Sequence, residues 1–296
     1  MTPREDSVTA VIPTIGRPEL RSTVESVLAQ TAHLHEIIVA ADTDGELDLP
    51  QDSRVTVVRT GPRAGGNVAR MAGIRAASSN LIALLDDDDL WAPEKLEHQI
   101  RAIRDSRGRL DDTWLSCTLV EEPGGRHWPE RRIEVGERLP DYLFRKQRIK
   151  AGQGAIHTST LLFPRALALK HPFDENLRFH QDTDWLMRLD REAPGTAVIQ
   201  VPEPLTRLRA GGGSVSRGIK PLESLAWARR ALAHVAPGTR ADFLVTVTYF
   251  QALRHKDYSA AVRVLGVAFS WGPPTLRALP SVLMLPLKVM TRGRNL

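Results

Sequence analysis

The chain of 296 residues contains a single cysteine, Cys117. One thiol cannot close a disulfide within the chain, so the composition suits a reducing cytoplasm. Cys117 lies in the apolar run Trp114-Leu115-Ser116-Cys117 and is expected as a small core residue rather than a nucleophile. Long apolar runs are also missing: no stretch reaches the roughly 18 to 20 residues that a membrane-spanning helix requires. The nearest, Ala278 to Leu287, is interrupted by Pro280, Ser281 and Pro286. The polar N-terminus, Met1 to Asp6, and the short apolar stretch ending at Pro13 do not read as a signal peptide. There is no internal repeat and no low-complexity tract. No nucleic-acid-binding motif accompanies the positive charge, so nucleic acid is not an expected partner.

What is present is 42% apolar residues, enough to build one large α/β domain with a smaller tail. The net charge of +5 is unevenly placed. Pro221 to Leu296 carries eight Arg and two Lys against three acids, a net +7, which leaves −2 for the first 220 residues. Such a tail is either an ordinary solvated helical face or a route to peripheral membrane contact, on anionic lipid at the inner face of the membrane.

The first half alternates strand and helix. Val8 to Ile12 is a β-branched run ended by Pro13, and Pro18 opens a helix with Leu20, Val24, Val27 and Leu28 on one face. Glu36 to Val39 and Val55 to Val58 read as strands, and the Ala-rich stretch Asn67 to Ala77 as a helix. Leu81 to Leu85 is wholly apolar, as a central strand covered on both faces must be. Pro93 begins another helix with Leu96, Ile100 and Ile103 inward. This rhythm predicts an α/β fold with a mostly parallel sheet flanked by helices. Later strands are expected at Trp114 to Val120, Thr158 to Phe163 and Ala197 to Val201, with a charged loop over Glu121 to Glu137. A helix is expected over Asp182 to Glu192, a flexible loop at Ala210-Gly211-Gly212-Gly213-Ser214, and helices thereafter.

Four consecutive carboxylates, Asp86 to Asp89, follow the apolar run. Adjacent carboxylates repel unless a cation sits among them. Open α/β sheets bind ligands beyond the carboxyl ends of their strands, where this run is delivered. Hard oxygen ligands point to Mg2+ or Mn2+ held together with substrate phosphates. Successive side chains leave the backbone in different directions, so all four cannot ligate, and Asp87 is the one expected to point away.

Together with this cluster, several segments resemble glycosyltransferase family 2, the nucleotide-sugar-dependent enzymes of the GT-A (Rossmann-like) fold. They are Val11-Ile12-Pro13-Thr14, Ser26 to Thr31, Glu36 to Val39, Leu84 to Trp91, Phe173-Asp174-Glu175 and Gln181 to Trp185, spread over roughly Val8 to Arg209. The resemblance implies a catalytic domain over residues 1–215, with nucleotide-sugar binding in about 1–110 and acceptor binding in about 111–215, and a helical basic region over 216–296. It places Pro13, Thr14 and Arg17 in the loop that touches the nucleotide. Asp42 keeps the place of a base-binding aspartate whose neighbouring Asp is here Ala41, which favours a uracil or thymine imide. Asn67 and Arg70, three apart on one helix face, match nucleotide-facing residues.

In the family's Asp-x-Asp (DXD) motif, Asp86 corresponds to the ribose or metal contact and Asp88 to the metal ligand, with Asp89 as a further metal or acceptor contact. Asp182 matches the catalytic base, with Gln181 where the family has Glu; it also reads as an ordinary helix cap. His180 is a candidate for the metal or acceptor site, and His157 starts a strand; a lone His is more often structural, and that reading stands beside both.

The implied activity is inverting, metal-dependent transfer of one sugar from a nucleoside diphosphate sugar, UDP- or dTDP-linked, to a hydroxyl of a saccharide, lipid-linked or small-molecule acceptor. The multiple spans and Gln-x-x-Arg-Trp motif of processive synthases are missing. Two other readings stay open: a sugar-phosphate nucleotidyltransferase, though Pro13 to Pro18 poorly matches its Gly-rich basic loop, and a non-catalytic nucleotide-sugar-binding protein.

Overall fold

A computed structural model describes residues 7–106, 113–149, 154–209 and 218–284. Close packing divides the chain into two units, Met1–Arg132 with Ile156–Gly212, and Ile133–Ala155 with Gly213–Leu296.

The first unit opens with β1 (Val8–Thr14), α1 (Leu20–Leu28), β2 (Glu36–Ala41), β3 (Val55–Arg59), α2 (Gly66–Ala76) and β4 (Leu81–Leu84). β3, β2, β1 and β4 lie side by side, all parallel, as the alternating rhythm predicts. β1 runs to Thr14, past the break expected at Pro13. β4 accompanies it only as far as Val11, so Pro13 falls where one side of the strand lacks that partner and its missing N–H is tolerated. All four residues of β4 are buried, which is why its sequence is apolar without alternation. Leu20, Val24 and Val27 of α1 pack into the same core. α2 crosses β1 so closely that a Cβ on Gly73 would lie 2.5 Å from Val11 Cγ1, and only glycine allows that approach.

Next come β5 (Leu90–Trp91), α3 (Lys95–Ser106), β6 (Trp114–Glu122) and β7 (Arg126–Trp128). The expected loop over Glu121 to Glu137 is in part a hairpin between β6 and β7. Gly124 and Gly125 take φ of +97° and +78°, the backbone that a tight turn requires, and charged strands pair there because their side chains remain in solvent.

α4 (Leu139–Phe144) belongs to the second unit; β8 (Leu162–Pro164), α5 (Arg165–Lys170), α6 (Gln181–Glu192) and β9 (Ala197–Arg207) return to the first. The sheet is completed in the order β3-β2-β1-β4-β8-β6-β9-β5. Its second half is mixed: β8 is antiparallel to β4 and β6, whereas β6 and β9 are parallel.

The strand expected at Thr158 to Phe163 begins instead with a 3-10 turn, Thr158–Thr160. His157 Nδ1 accepts from Ser159 N–H at 3.3 Å and Thr160 Oγ1 donates to His157 O at 2.6 Å. These local side-chain bonds compete with a strand ladder and win at a Ser/Thr-rich start.

In the second unit, α7 (Pro221–Ala231), α8 (Pro237–Phe243), a π-helical turn (Leu244–Thr248), α9 (Tyr249–Arg254) and α10 (Tyr258–Trp271) follow. Phe243 makes edge contact with Phe144 at 4.9 Å and packs on Trp227 at 5.4 Å. Buried Asp242 accepts from Lys146 N–H at 2.9 Å and from Thr275 N–H and Oγ1 at 2.7 Å each, tying residues 133–155 to the C-terminal helices. Among the described residues, no helix is long and apolar enough to cross a membrane. The glycine loop expected at Ala210 to Ser214 lies outside the described residues.

Candidate active site

The carboxylates after β4 are distributed by the shape of one turn, in which Asp89 N–H donates to Asp86 O at 3.1 Å. Thr23 of α1 fixes this turn from below, its hydroxyl within 3.0 Å of Asp87 O and 2.9 Å of Asp89 O. Each carboxylate then meets a different environment. Asp86 Oδ1 accepts from Arg70 at 2.8 Å. Asp87 is buried, accepts from Thr14 Oγ1 at 2.6 Å and has Arg17 Nε at 3.4 Å. Asp88 pairs with the other end of the Arg17 guanidinium. Buried Asp89 accepts from Ser159 Oγ at 2.6 Å, and His157 Nδ1 stands 3.8 Å away.

These environments pull the carboxyls apart. Burial pushes Asp86 up, but Arg70, His157 and Arg17 outweigh it and hold the group below the usual carboxylate range. Asp87 is pushed up to about 6 by burial, and Thr14 and Arg17 only partly offset this. Burial also raises Asp89 against the pull of His157. Asp86, Asp89 and His157 each bring one ligand atom within 4.8 Å of the others. A partly buried, incompletely neutralised set of two carboxylates and an imidazole fits a divalent cation. Asp88, the metal ligand implied by the resemblance, lies outside this trio, against Arg17.

Arg70 links the cluster to the other half of the site. Besides Asp86, it donates to Asn67 Oδ1 at 3.1 Å and to Gln181 Oε1 at 2.7 Å, and its side chain is only 9% exposed. Gln181, where the resemblance implies Glu, thus ties the start of α6 to Arg70. Asn67 is fully buried and donates to Asp174 O at 2.8 Å, so it holds the Phe173-Asp174-Glu175 segment against α2. Asp42 accepts from the N–H groups of Ala64 and Gly65 at 2.6 and 2.8 Å and so shapes the loop before α2. A carboxylate has about four acceptor directions, which leaves room for a base contact. Pro13 and Thr14 are buried at the end of β1.

Asp182 is the second residue of α6 and not its cap, which is His180. Its Oδ1 accepts from Thr183 N–H at 2.7 Å and its Oδ2 from Thr158 Oγ1 at 3.4 Å. His180 holds a left-handed backbone, φ 56°, unusual for a residue other than glycine and frequent at functional sites. Burial depresses its imidazole to about 4 despite the nearby Asp182 charge, so it is neutral at pH 7.

The turn over residues 157–160 therefore touches both halves: Ser159 and His157 reach the acidic cluster, and Thr158 reaches Asp182. Ser159 Oγ also accepts from Asp86 N–H at 3.1 Å. Sequence reasoning did not single out Thr158 or Ser159; the signal was the polar run His157-Thr158-Ser159-Thr160 just before three apolar residues.

A buried polar chain supports this turn. Trp91 Nε1 donates to Ser159 O at 2.8 Å, and Gln99 Nε2 donates to Thr160 O at 3.0 Å and Ser116 Oγ at 3.2 Å. Lys95 Nζ donates to Gln99 Oε1 at 2.7 Å and lies 4.1 Å from the Trp91 ring centroid. Burial pushes Lys95 down to about 7 from the ordinary 10.5, with Cys117 pulling slightly the other way. Between these values the unfolded chain binds the extra proton, so stability rises with pH and falls again as pH drops toward 7. Burial raises Cys117 to about 12, which opposes this above its ordinary 9, so the clean window is pH 7 to 8.5. The urea midpoint should climb across that window in the natural protein and stay flatter in Lys95→Met. Equal slopes in the two proteins would mean that Lys95 keeps an ordinary proton affinity.

The family model for glycosyl transferase family 2 matches residues 9–170. Among curated relatives, the chain is 25% identical over 269 residues to the amylovoran biosynthesis glycosyltransferase AmsB of Erwinia amylovora, covering 86% of each. It is 37% identical over 84 residues to the UDP-Glc:alpha-D-GlcNAc-diphosphoundecaprenol beta-1,3-glucosyltransferase WfaP of Escherichia coli, covering 27% of this chain and 34% of that one. Its fold is like that of S. aureus TarS 1-349 in complex with UDP-GlcNAc, with a TM-score of 0.65 at 14% identity, covering 98% of this chain and 92% of that one. It is also like that of the mannosyltransferase PcManGT from Pyrobaculum calidifontis in complex with GDP-Man and Mn2+, with a TM-score of 0.56 at 14% identity and coverage of 96% and 79%.

Proposed function

The chain belongs to glycosyl transferase family 2, and on that premise we propose that it moves a single sugar from a UDP- or dTDP-linked donor to an acceptor hydroxyl, inverting the anomeric configuration with a divalent metal ion bound. The observation that carries this reading is the 157–160 turn, which joins the acidic cluster to Asp182 through Ser159 and Thr158. Donor-phosphate chemistry and a proton acceptor thereby share one site.

In this reading Asp182 accepts the proton of the acceptor hydroxyl as its oxygen bonds to the anomeric carbon. The bond from that carbon to the diphosphate breaks on the opposite face, and the nucleoside diphosphate leaves with the electron pair. An α-linked donor then gives a β product. Asp86 and Asp89, with His157 beside them and Asp88 at the rim, would hold Mg2+ or Mn2+. That ion supplies positive charge to the leaving diphosphate when bound. In this reading Arg70 meets the nucleotide or phosphate, and Arg17 with Pro13 and Thr14 meets the base; their present contacts set Arg70 and Arg17 beside the acidic cluster. Asp42 retains acceptor capacity for a uracil or thymine imide. The acceptor belongs to the saccharides, lipid-linked or free, or to small hydroxylated molecules; the WfaP relative's diphosphoundecaprenol substrate supports the lipid-linked case.

A thermal-shift panel of UDP-, dTDP-, GDP- and CDP-sugars, each with and without Mn2+, tests the donor. A ligand at ~100 times its dissociation constant stabilises by about 2.7 kcal/mol, readily seen as a higher Tm. The expected result is a Mn2+-dependent rise with uracil or thymine nucleotides. A folded protein that responds to no donor sinks the reading.

A further inference from the structure

The second unit carries a surface that sugar transfer does not explain. α10 buries Ala260, Ala261, Val264 and Ala268. Its outer face presents Tyr258 at 66%, Val262 at 72% and Phe269 at 52% exposure. These positions stand at i, i+4 and i+11, one stripe along the helix. Leu276 and Leu283 follow, 84% and 76% exposed. Three large apolar side chains held outward on one helix, with two more beyond it, form a patch that water does not favour.

The charge around the stripe is mainly positive. α10 contains no acid, and Asp257 before it is engaged as the helix cap, accepting from Ala260 N–H at 2.9 Å. Arg254 and Lys256 precede the helix, Arg263 lies on its exposed face and Arg277 follows, all solvent-exposed. Over residues 218–284, eight Lys and Arg stand against three acids, of which Asp242 is buried. A second copy is a poor occupant, because two-fold pairing of this face would set Arg263 and its neighbours against themselves. An apolar stripe bordered mainly by cations, with Asp257 at the helix start tied up in capping, complements an anionic bilayer surface, whose headgroups pair with the cations while its acyl boundary takes the apolar groups.

We propose that the outer face of α10 docks on anionic lipid, with Tyr258, Val262 and Phe269 in the interfacial layer and Arg254, Lys256, Arg263 and Arg277 on lipid phosphate. This is independent of the donor-site reading, because it is measured without any nucleotide sugar. The full chain is sedimented with vesicles of phosphatidylcholine alone or mixed with phosphatidylglycerol.

Binding is expected only to the anionic vesicles and is expected to weaken as salt rises. The double variant Val262→Asp/Phe269→Asp should bind at least about tenfold more weakly, because it loses apolar contacts and adds like charge to the lipid. Arg263→Glu, a single exposed change that leaves the apolar stripe intact, should also lower anionic binding several-fold and guards against misfolding of the double variant. Absent or lipid-indifferent binding by the natural chain overturns the proposal, as do both variants binding like the natural chain. Light scattering that finds a dimer broken by the double variant, without vesicle binding, would assign the face to self-association instead.

Discussion

Replacing Asp182 by Asn is expected to lower turnover about 10³-fold while leaving donor affinity unchanged, since general-base catalysis contributes roughly 10²- to 10⁴-fold. Asn keeps the size of the side chain; its Oδ1 can still accept from Thr183 N–H, and its Nδ2, in place of the second carboxylate oxygen, can donate to Thr158 Oγ1 instead of accepting from it. What it cannot do is take a proton. The two readouts therefore separate: single-turnover transfer should collapse, while the donor-induced rise in Tm should persist. A variant that transfers at the natural rate would remove Asp182 from the chemistry and favour a binding protein of the same fold. A variant that loses donor binding along with transfer would make Asp182 part of the donor pocket instead.

The second large effect is expected at Arg70. Its guanidinium serves Asp86, Asn67 and Gln181 at once, and little of it is exposed. Arg70→Leu leaves Asp86 without the cation that hydrogen-bonds it and two amide oxygens without that donor. Breaking a fully buried pair costs about 3–5 kcal/mol, but the Asp86 side chain is 27% exposed and water softens the loss, so roughly 2–3 kcal/mol of stability should go. The donor-dependent Tm rise should vanish as well.

Arg70→Lys restores charge, but a single ammonium cannot present the planar fork that reaches three acceptors, and it should recover less than half of the stability. Adding Asp86→Asn to Arg70→Leu removes the stranded charge and should regain part of the loss, which urea titration of all four proteins would read as coupling. Natural stability and natural donor response in Arg70→Leu would make this contact peripheral.

The part of the site that could be read from the sequence is the part encoded locally. The apolar run of β4 predicted a strand covered on both faces, and the four Asp after it predicted carboxylates delivered to its carboxyl end. Asp87, expected to point away, is buried against Thr14, but Asp88 also lies outside the trio of Asp86, Asp89 and His157. Cys117 is in the core, as its apolar neighbours suggested. The misread segments are those where local chemistry opposes local pattern: Thr158 to Thr160 looks extended by composition yet turns on its own hydroxyls, and the charged stretch after Glu121 pairs as a hairpin because its glycines supply the turn.

By itself, then, the sequence determined the alternation of strands and helices, the family, and which carboxylates stand at the end of the central strand. Periodicity and runs of like residues express the burial of each element, and that burial is a property of short stretches. Tertiary structure alone decided the partners: Arg17 on Asp87 and Asp88, Arg70 on Asp86 and Gln181, and His157 and Ser159 on Asp89. It also assigned residues 133–155 to the C-terminal helices. Contacts between residues 70 to 111 positions apart leave no local period, because they depend on how the sheet folds those segments together. Four identical aspartates thus become one carboxylate paired with Arg70, one held between Thr14 and Arg17, one paired with Arg17 at the rim and one beside an imidazole, each set by what the fold places against it.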